Sequence, residues 1–232
     1  MKQLLEVFLQ QLDTDGKILE RLPRRIVWLS GAPAAGKGTH TRKLMEYFHL
    51  YPEPLITSSL FQTPEMRAKI NQGILLDDET VICAVFQELQ NPRYQSGVLV
   101  DGFPRKEGQA YSIEWLYQAM QKRGWKPQFL SILLLVDEET SVARQLGRAK
   151  HARAYNERVQ KTGIGTLQEV RATDLDPAIA HRRYQTFMQE TYASIQILKG
   201  KIPFITIDAN GALEVVTQQL RQELRKMKDF RR

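Results

Sequence analysis

Cysteine is almost missing from this chain of 232 residues, which has only Cys83. A single thiol can form no internal disulfide and cannot build a cysteine zinc site. A reducing, cytoplasmic setting without zinc is therefore expected, with Cys83 as a small core residue. Long apolar runs are missing too. The N-terminus has no uninterrupted stretch of signal-peptide length, and no segment approaches the roughly 20 apolar residues of a membrane span, so no membrane partner is expected. Internal repeats and low-complexity linkers are absent. The four histidines, His40, His49, His151 and His181, show no pairing pattern of the kind a catalytic base needs. Negative charge is in deficit: 26 Asp and Glu face 33 Lys and Arg, a formal +7 with basic clusters at 148–153 and 221–232. Neither cluster carries a recognition motif or interleaved aromatics, so no nucleic-acid partner is expected. A site that surrounds several phosphates with arginine produces the same excess. The rest of the composition is that of a globular protein with room for one α/β core and insertions.

What is present centres on residues 25–39, Arg-Ile-Val-Trp-Leu-Ser-Gly-Ala-Pro-Ala-Ala-Gly-Lys-Gly-Thr. An apolar run from Ile26 to Leu29 breaks into a small-residue loop that enters the helical pattern of 41–48. Gly31 and Gly36 stand where a backbone turns tightly and approaches a ligand. Successive N–H groups can then converge on a phosphate at a helix N-terminus. Lys37 supplies an ammonium for the outer phosphates and Thr39 a hydroxyl on the first turn. Ser or Thr usually follows the lysine directly, whereas here Gly38 intervenes.

Before this loop, Leu4, Leu5, Phe8, Leu9 and Leu12 fall at helical spacing, and 13–16 breaks the pattern. After it, 55–61 reads as a short strand ending in hydroxyl residues. Residues 63–73 read as a helix with Thr63 as N-cap, Pro64 in its first turn and Gly73 at its end. A helix at 80–89 precedes a buried strand, 97–101, which delivers Asp101-Gly-Phe-Pro-Arg105 at its carboxyl end, the edge where open α/β sheets bind ligands. A helix at 106–123 leads to the most apolar run, 129–136, a central parallel strand. The next helix reaches Arg144 and Arg148, and 151–173 is polar and glycine-broken, an excursion from the core. Helix 178–198, strand 202–208 and helix 212–227 close the chain. Five strands alternating with helices predict a three-layer α/β fold of the P-loop NTPase type with a five-stranded parallel sheet.

Gly36-Lys-Gly-Thr39 resembles the nucleoside monophosphate kinases. Val98-Leu-Val-Asp-Gly-Phe-Pro-Arg-Lys-Glu-Gly-Gln109 resembles the adenylate kinase signature throughout. The resemblance runs from about Arg25 to the C-terminus. It implies ATP as donor, bound by Gly31, Ala32, Pro33, Ala34, Ala35, Gly36, Lys37, Gly38 and Thr39 with Arg144, and Mg²⁺ near Asp101 through water. Arg105 would grip the acceptor phosphate, Gln109 would read its base, and Thr57 and Leu76 would line its site. Arg144 and Arg148 resemble the lid pair, while Arg171-Ala-Thr-Asp174 and the following Arg182 resemble the family's transfer arginines. Lys37, Arg105, Arg148, Arg171 and Arg182 are thus the implied catalytic set, and Lys150, Arg153, Arg158 and Arg183 are assigned to the surface. The implied layout is a helix at 1–22, a core at 23–56, 74–148 and 174–232, a monophosphate-binding segment at 57–73, and a partly helical lid without cysteine at 149–173.

The acceptor side departs most from the family. At 56–62, Ile-Thr-Ser-Ser-Leu-Phe-Gln lacks the family's aspartate and arginine, and Arg67 is the candidate replacement for the lost phosphate grip. Gln109 rather than Asn points to AMP as acceptor. The altered segment leaves UMP or CMP open, and also a nucleotide-binding regulator of weak or no transferase activity acting through residues 1–22. A monomer is expected, with dimerisation through that helix as the alternative. A small-molecule kinase would share the first loop but would not need Asp101 to Gln109.

Overall fold

The computed structural model describes residue 13, residues 15–50 and residues 53–227. The helix expected at the extreme N-terminus, and dimerisation through it, lie outside the described residues apart from one turn, α1 (Ile18–Arg21).

Five parallel strands form one sheet in the order β2-β3-β1-β4-β5: β1 (Arg25–Gly31), β2 (Leu55–Ile56), β3 (Val98–Asp101), β4 (Gln128–Leu135) and β5 (Phe204–Asp208). Alternation along a strand sends neighbouring side chains to opposite faces, and both faces are covered. Ile26 and Trp28 of β1, with Val98, Val100 and Phe129, pack under α1, α4 (Asp78–Leu89) and α5 (Glu107–Lys122). Val27 and Leu29, with Leu99, Leu130 and Ile132, pack against α2 (Lys37–Phe48) and α9 (Leu213–Lys226). The expected three-layer α/β fold is the one observed.

Local signals set the helix ends. Thr63 Oγ1 accepts from Met66 N ahead of α3 (Pro64–Asn71), with proline in its first turn, and Gly73 follows the helix at φ 77°. Asp77 caps α4 by accepting from Thr80 N. The strand expected at 55–61 is shorter, because after Ile56 the chain coils into a 3₁₀ turn at Thr57–Leu60.

Past β4, α6 (Glu138–Thr162) runs for 25 residues as one helix. The excursion expected from 151 onward therefore begins inside a helix that carries Arg144 and Arg148 without a break. Gly163, at φ 67°, ends it. The chain then returns alongside, held by Asn156, whose side chain accepts from Gln168 N and donates to Gln168 O. α7 (Pro177–Thr186) passes through a wide π turn, Phe187–Tyr192, into α8 (Ala193–Gln196). Cys83 is half-buried on α4 rather than within the core, and burial raises its thiol pKa.

Among the described residues, no helix is long and apolar enough to cross a membrane.

Candidate active site

The connection from β1 leaves toward β2, while that from β4 leaves toward β5, so a crevice opens over the carboxyl ends of the strands. The loop after β1 lies there, and the backbone dictates its shape. A Cβ on Gly31 would lie 2.6 Å from Leu134 O, so only glycine lets β1 and β4 stay this close. Ala32 N donates to the same carbonyl at 3.0 Å. Ala34 (φ 56°) and Gly36 (φ 86°) both take the left-handed region, an uncommon conformation for alanine that recurs at ligand-binding loops. Gly36 is also the N-cap of α2. No side chain among the described residues caps that helix, which leaves its first N–H groups directed at the loop's concavity.

Lys37 folds back over the loop, its Nζ donating to Gly31 O (2.7 Å) and Ala32 O (3.0 Å). From the far side, Ser141 of α6 donates to Pro33 O at 2.8 Å. Burial brings the Lys37 pKa down to about 8. Asp101 opposes the shift, while Arg105, Arg183 and Arg148 add to it.

Asp101 ends β3, in register with Leu29 and Ile56 of the flanking strands. Its carboxyl pKa is raised by burial, against the pull of Lys37, Arg105 and Arg171. Gly102 turns the chain at φ 86°, and Arg105 Nε donates back to Gly102 O at 3.0 Å. The π turn brings in Thr191, whose hydroxyl donates to Arg105 O at 3.1 Å. Gln109 is buried, accepting from Arg105 N (2.8 Å) and donating to Asp78 Oδ1 (3.0 Å).

The third wall is arginine-rich. Asp174, 1% exposed, accepts from Arg148 Nε (2.7 Å) and Arg183 Nη1 (2.9 Å). Arg183 also donates to Gln145 Oε1 and Thr173 Oγ1. Here the structure reverses an expectation. Arg182, placed in the catalytic set by its spacing from Arg171, is exposed and faces a separate depression with Lys106 and Glu190. Arg183, assigned to the surface, lines the cleft. The cause is helical phase, since Ala180 and Phe187 are buried and Arg183 shares their stripe. That signal was available in the sequence. Arg171 lines the cleft and pairs loosely with Glu169. Arg144 is turned to the β5 end, donating to the carbonyls of Ala209, Asn210 and Gly211.

On the remaining side, Thr57, Arg67 and Leu76 line the cleft. Gln62, which replaces an arginine of the family pattern, accepts from Arg67 Nη2 at 2.7 Å and so holds Arg67 in this wall. Spacing gave no sign of Asp78, Gln145, Ser141 or Thr191, whose parts depend on contacts across the fold.

Comparison with known proteins accords with this geometry. The family described as Adenylate kinase matches residues 29–202, three quarters of the chain. The chain belongs to the adenylate kinase family. Adenylate kinases to which it is similar include those of Trichodesmium erythraeum, 26% identical over 88% of this chain and 98% of the relative, and Xanthobacter autotrophicus, 29% over 82% and 92%. That of Vanderwaltozyma polyspora is 31% identical over 79% and 88%. Membership makes the chain a phosphotransferase of the nucleoside monophosphate kinase class. The β3 loop, from Asp101 to Gln109, lies at the same sheet edge as the loop after β1.

Proposed function

We propose that the chain reversibly transfers the γ-phosphoryl group of Mg-ATP to AMP, giving two ADP. The observation that carries this reading is the crowding of cations into one cleft. Lys37, Arg105, Arg171 and Arg183 line it, and burial and mutual repulsion lower the Lys37 pKa. Such an arrangement is unfavourable when empty and suits a polyanion.

The chain's residues would act by position and charge. The acceptor oxygen of a monophosphate is already anionic near neutral pH, so no base is needed, and no histidine is among the cleft-lining residues. Lys37 and the arginines neutralise charge that builds on the transferring group, and the loop of 31–39 aligns the donor. The donor set suits an ion that arrives with the nucleotide. Mg²⁺ keeps several waters and takes phosphate oxygens with one or two carboxylates. Asp101 supplies one, whereas no group of three His, Cys, Asp or Glu among the described residues could hold a metal alone. Asp101 would hold the ion through water, and the bound ion would screen the phosphate charge. The lid at 149–173 would close over the cleft to exclude water, within the domain layout given above, and a cytoplasmic monomer accords with the reading.

The test is ADP formation from Mg-ATP with AMP, UMP, CMP, GMP or no acceptor, with Lys37→Ala as control. Rapid ADP production with AMP, falling at least a hundredfold in the control, supports the reading. A pyrimidine preference moves the acceptor to UMP or CMP, and nucleotide binding without transfer to any acceptor favours a regulator.

A further inference from the structure

We propose that Asp78 sets the acceptor specificity, by fixing the orientation of the Gln109 carboxamide so that it pairs with a 6-amino purine and not with a 6-oxo purine. The inference rests on the reading above, in which Gln109 meets the acceptor base.

A free carboxamide is ambiguous, since its oxygen and nitrogen ends exchange by a half-turn of the last torsion. At Gln109 two neighbours remove that ambiguity. The backbone N–H of Arg105 can only donate, and it lies 2.8 Å from Oε1. The carboxylate of Asp78 accepts, and its Oδ1 lies 3.0 Å from Nε2. A half-turn would set N–H against N–H at one end and oxygen against carboxylate at the other. In a buried site each mismatch leaves a polar group unpaired. Asp78 is itself fixed. It sits in the first turn of α4, behind the Asp77 cap, and its second oxygen accepts from Gly108 N at 3.1 Å. A side chain on Gly108 would run into that oxygen, so glycine keeps the two helix starts together.

With those bonds made, Gln109 retains one amide hydrogen and one oxygen lone pair, and it lines the cleft. Adenine offers a ring-nitrogen acceptor beside an amino donor, which matches that pair. Hypoxanthine and guanine, seated the same way, offer a ring N–H and a carbonyl, which oppose it. A carboxamide able to turn would accept both. Discrimination between amino and oxo bases therefore lies in Asp78, a positioning residue that touches neither the reacting atoms nor, by this geometry, the base.

The experiment measures kcat/KM for AMP and for IMP, with Mg-ATP as donor, in the full chain and in Asp78→Asn and Gln109→Ala. Asp78→Asn keeps shape but sets an amide against an amide. The AMP:IMP ratio is expected to fall about tenfold with the KM for ATP unchanged, the scale of one lost hydrogen bond. A role confined to stability would lower both acceptors alike and leave the ratio intact, and that result overturns the proposal. If Gln109→Ala leaves the ratio at its starting value, Gln109 is not the base reader, and both the inference and the acceptor reading beneath it fail. If Gln109→Ala collapses the ratio while Asp78→Asn does not, only the inference fails. Should Asp78→Asn not fold, Asp78→Ser still offers Gly108 N an acceptor but has no carboxylate for Gln109, and the same fall in ratio is expected.

Discussion

Two walls of the cleft are built on different principles. The loop of 31–37 is tied through its own backbone: Ala32 N donates to Leu134 O, the Pro33 carbonyl accepts from Ser141, and the carbonyls of Gly31 and Ala32 accept from Lys37. The opposite wall is held by side chains. Arg67 rests on Gln62, and α3 contains no fully buried residue, with Met66 and Ile70 only partly covered. Few buried contacts mean a low cost of local rearrangement. The loop side is thus closely tied and the α3 side adjustable, a division that suits the proposed reaction, in which one constant nucleotide triphosphate meets a monophosphate that must be enclosed.

Arg183 lies between these walls, and removing it should produce the largest effect. It lines the cleft from α7 but belongs to neither loop, so a charge that serves the transferring group should matter equally to both substrates. Arg183→Met is expected to lower kcat about a hundredfold with little change in either KM, as loss of one preorganised donor does. Arg182→Met, one residue away on the exposed face, should stay within about twofold. Steady-state kinetics of the two variants settles the assignment, and equal effects would return Arg182 to the site.

This adjacent pair also marks how far the sequence could be read. The strands, the phosphate loop and the β3 loop were legible because each rests on local pattern: apolar runs, glycines where the chain turns, a lysine at a helix start. The same holds for Thr63 and Asp77 as caps. Arg183 was misplaced because spacing from Arg171 was read without the helical phase set by Ala180 and Phe187. Asp78 was not visible as a partner of Gln109, since 31 positions separate them and only the packing of α4 beside α5 joins their first turns. Residues 151–162 read as an excursion because their apolar content is low, yet α6 continues through them on a stripe of Ala152 and Val159.

A smaller effect tests the acceptor wall alone. Arg67 has taken the place of a missing arginine only if its guanidinium, now resting on Gln62, reaches the acceptor phosphate. Arg67→Ala should then raise the KM for the monophosphate about tenfold and leave that for ATP unchanged. Equal changes in both would mean that the two walls are not separable in the way their construction implies.

A shift of less than about threefold up to pH 8 isolates the wall that carries Lys37, and it comes from pH rather than mutation. Burial brings the Lys37 pKa from an ordinary 10.5 to about 8 in the empty site, so the ammonium is lost progressively as pH rises through that value. ATP affinity of the free protein should be flat from pH 6 to 7.5. It should then weaken toward a limit of about tenfold per unit beyond pH 8, because binding must restore the proton. The stability of the empty protein should move the other way. Its depressed pKa means that the unfolded chain binds more protons between about 8 and 10.5, so this residue's contribution to folding rises across that window. Calorimetric ATP binding and thermal unfolding over pH 7–9.5, compared with Lys37→Met, test both signs at once. A Kd that ignores pH through 8 in the parent protein would show that burial and the neighbouring arginines do not depress Lys37 this far.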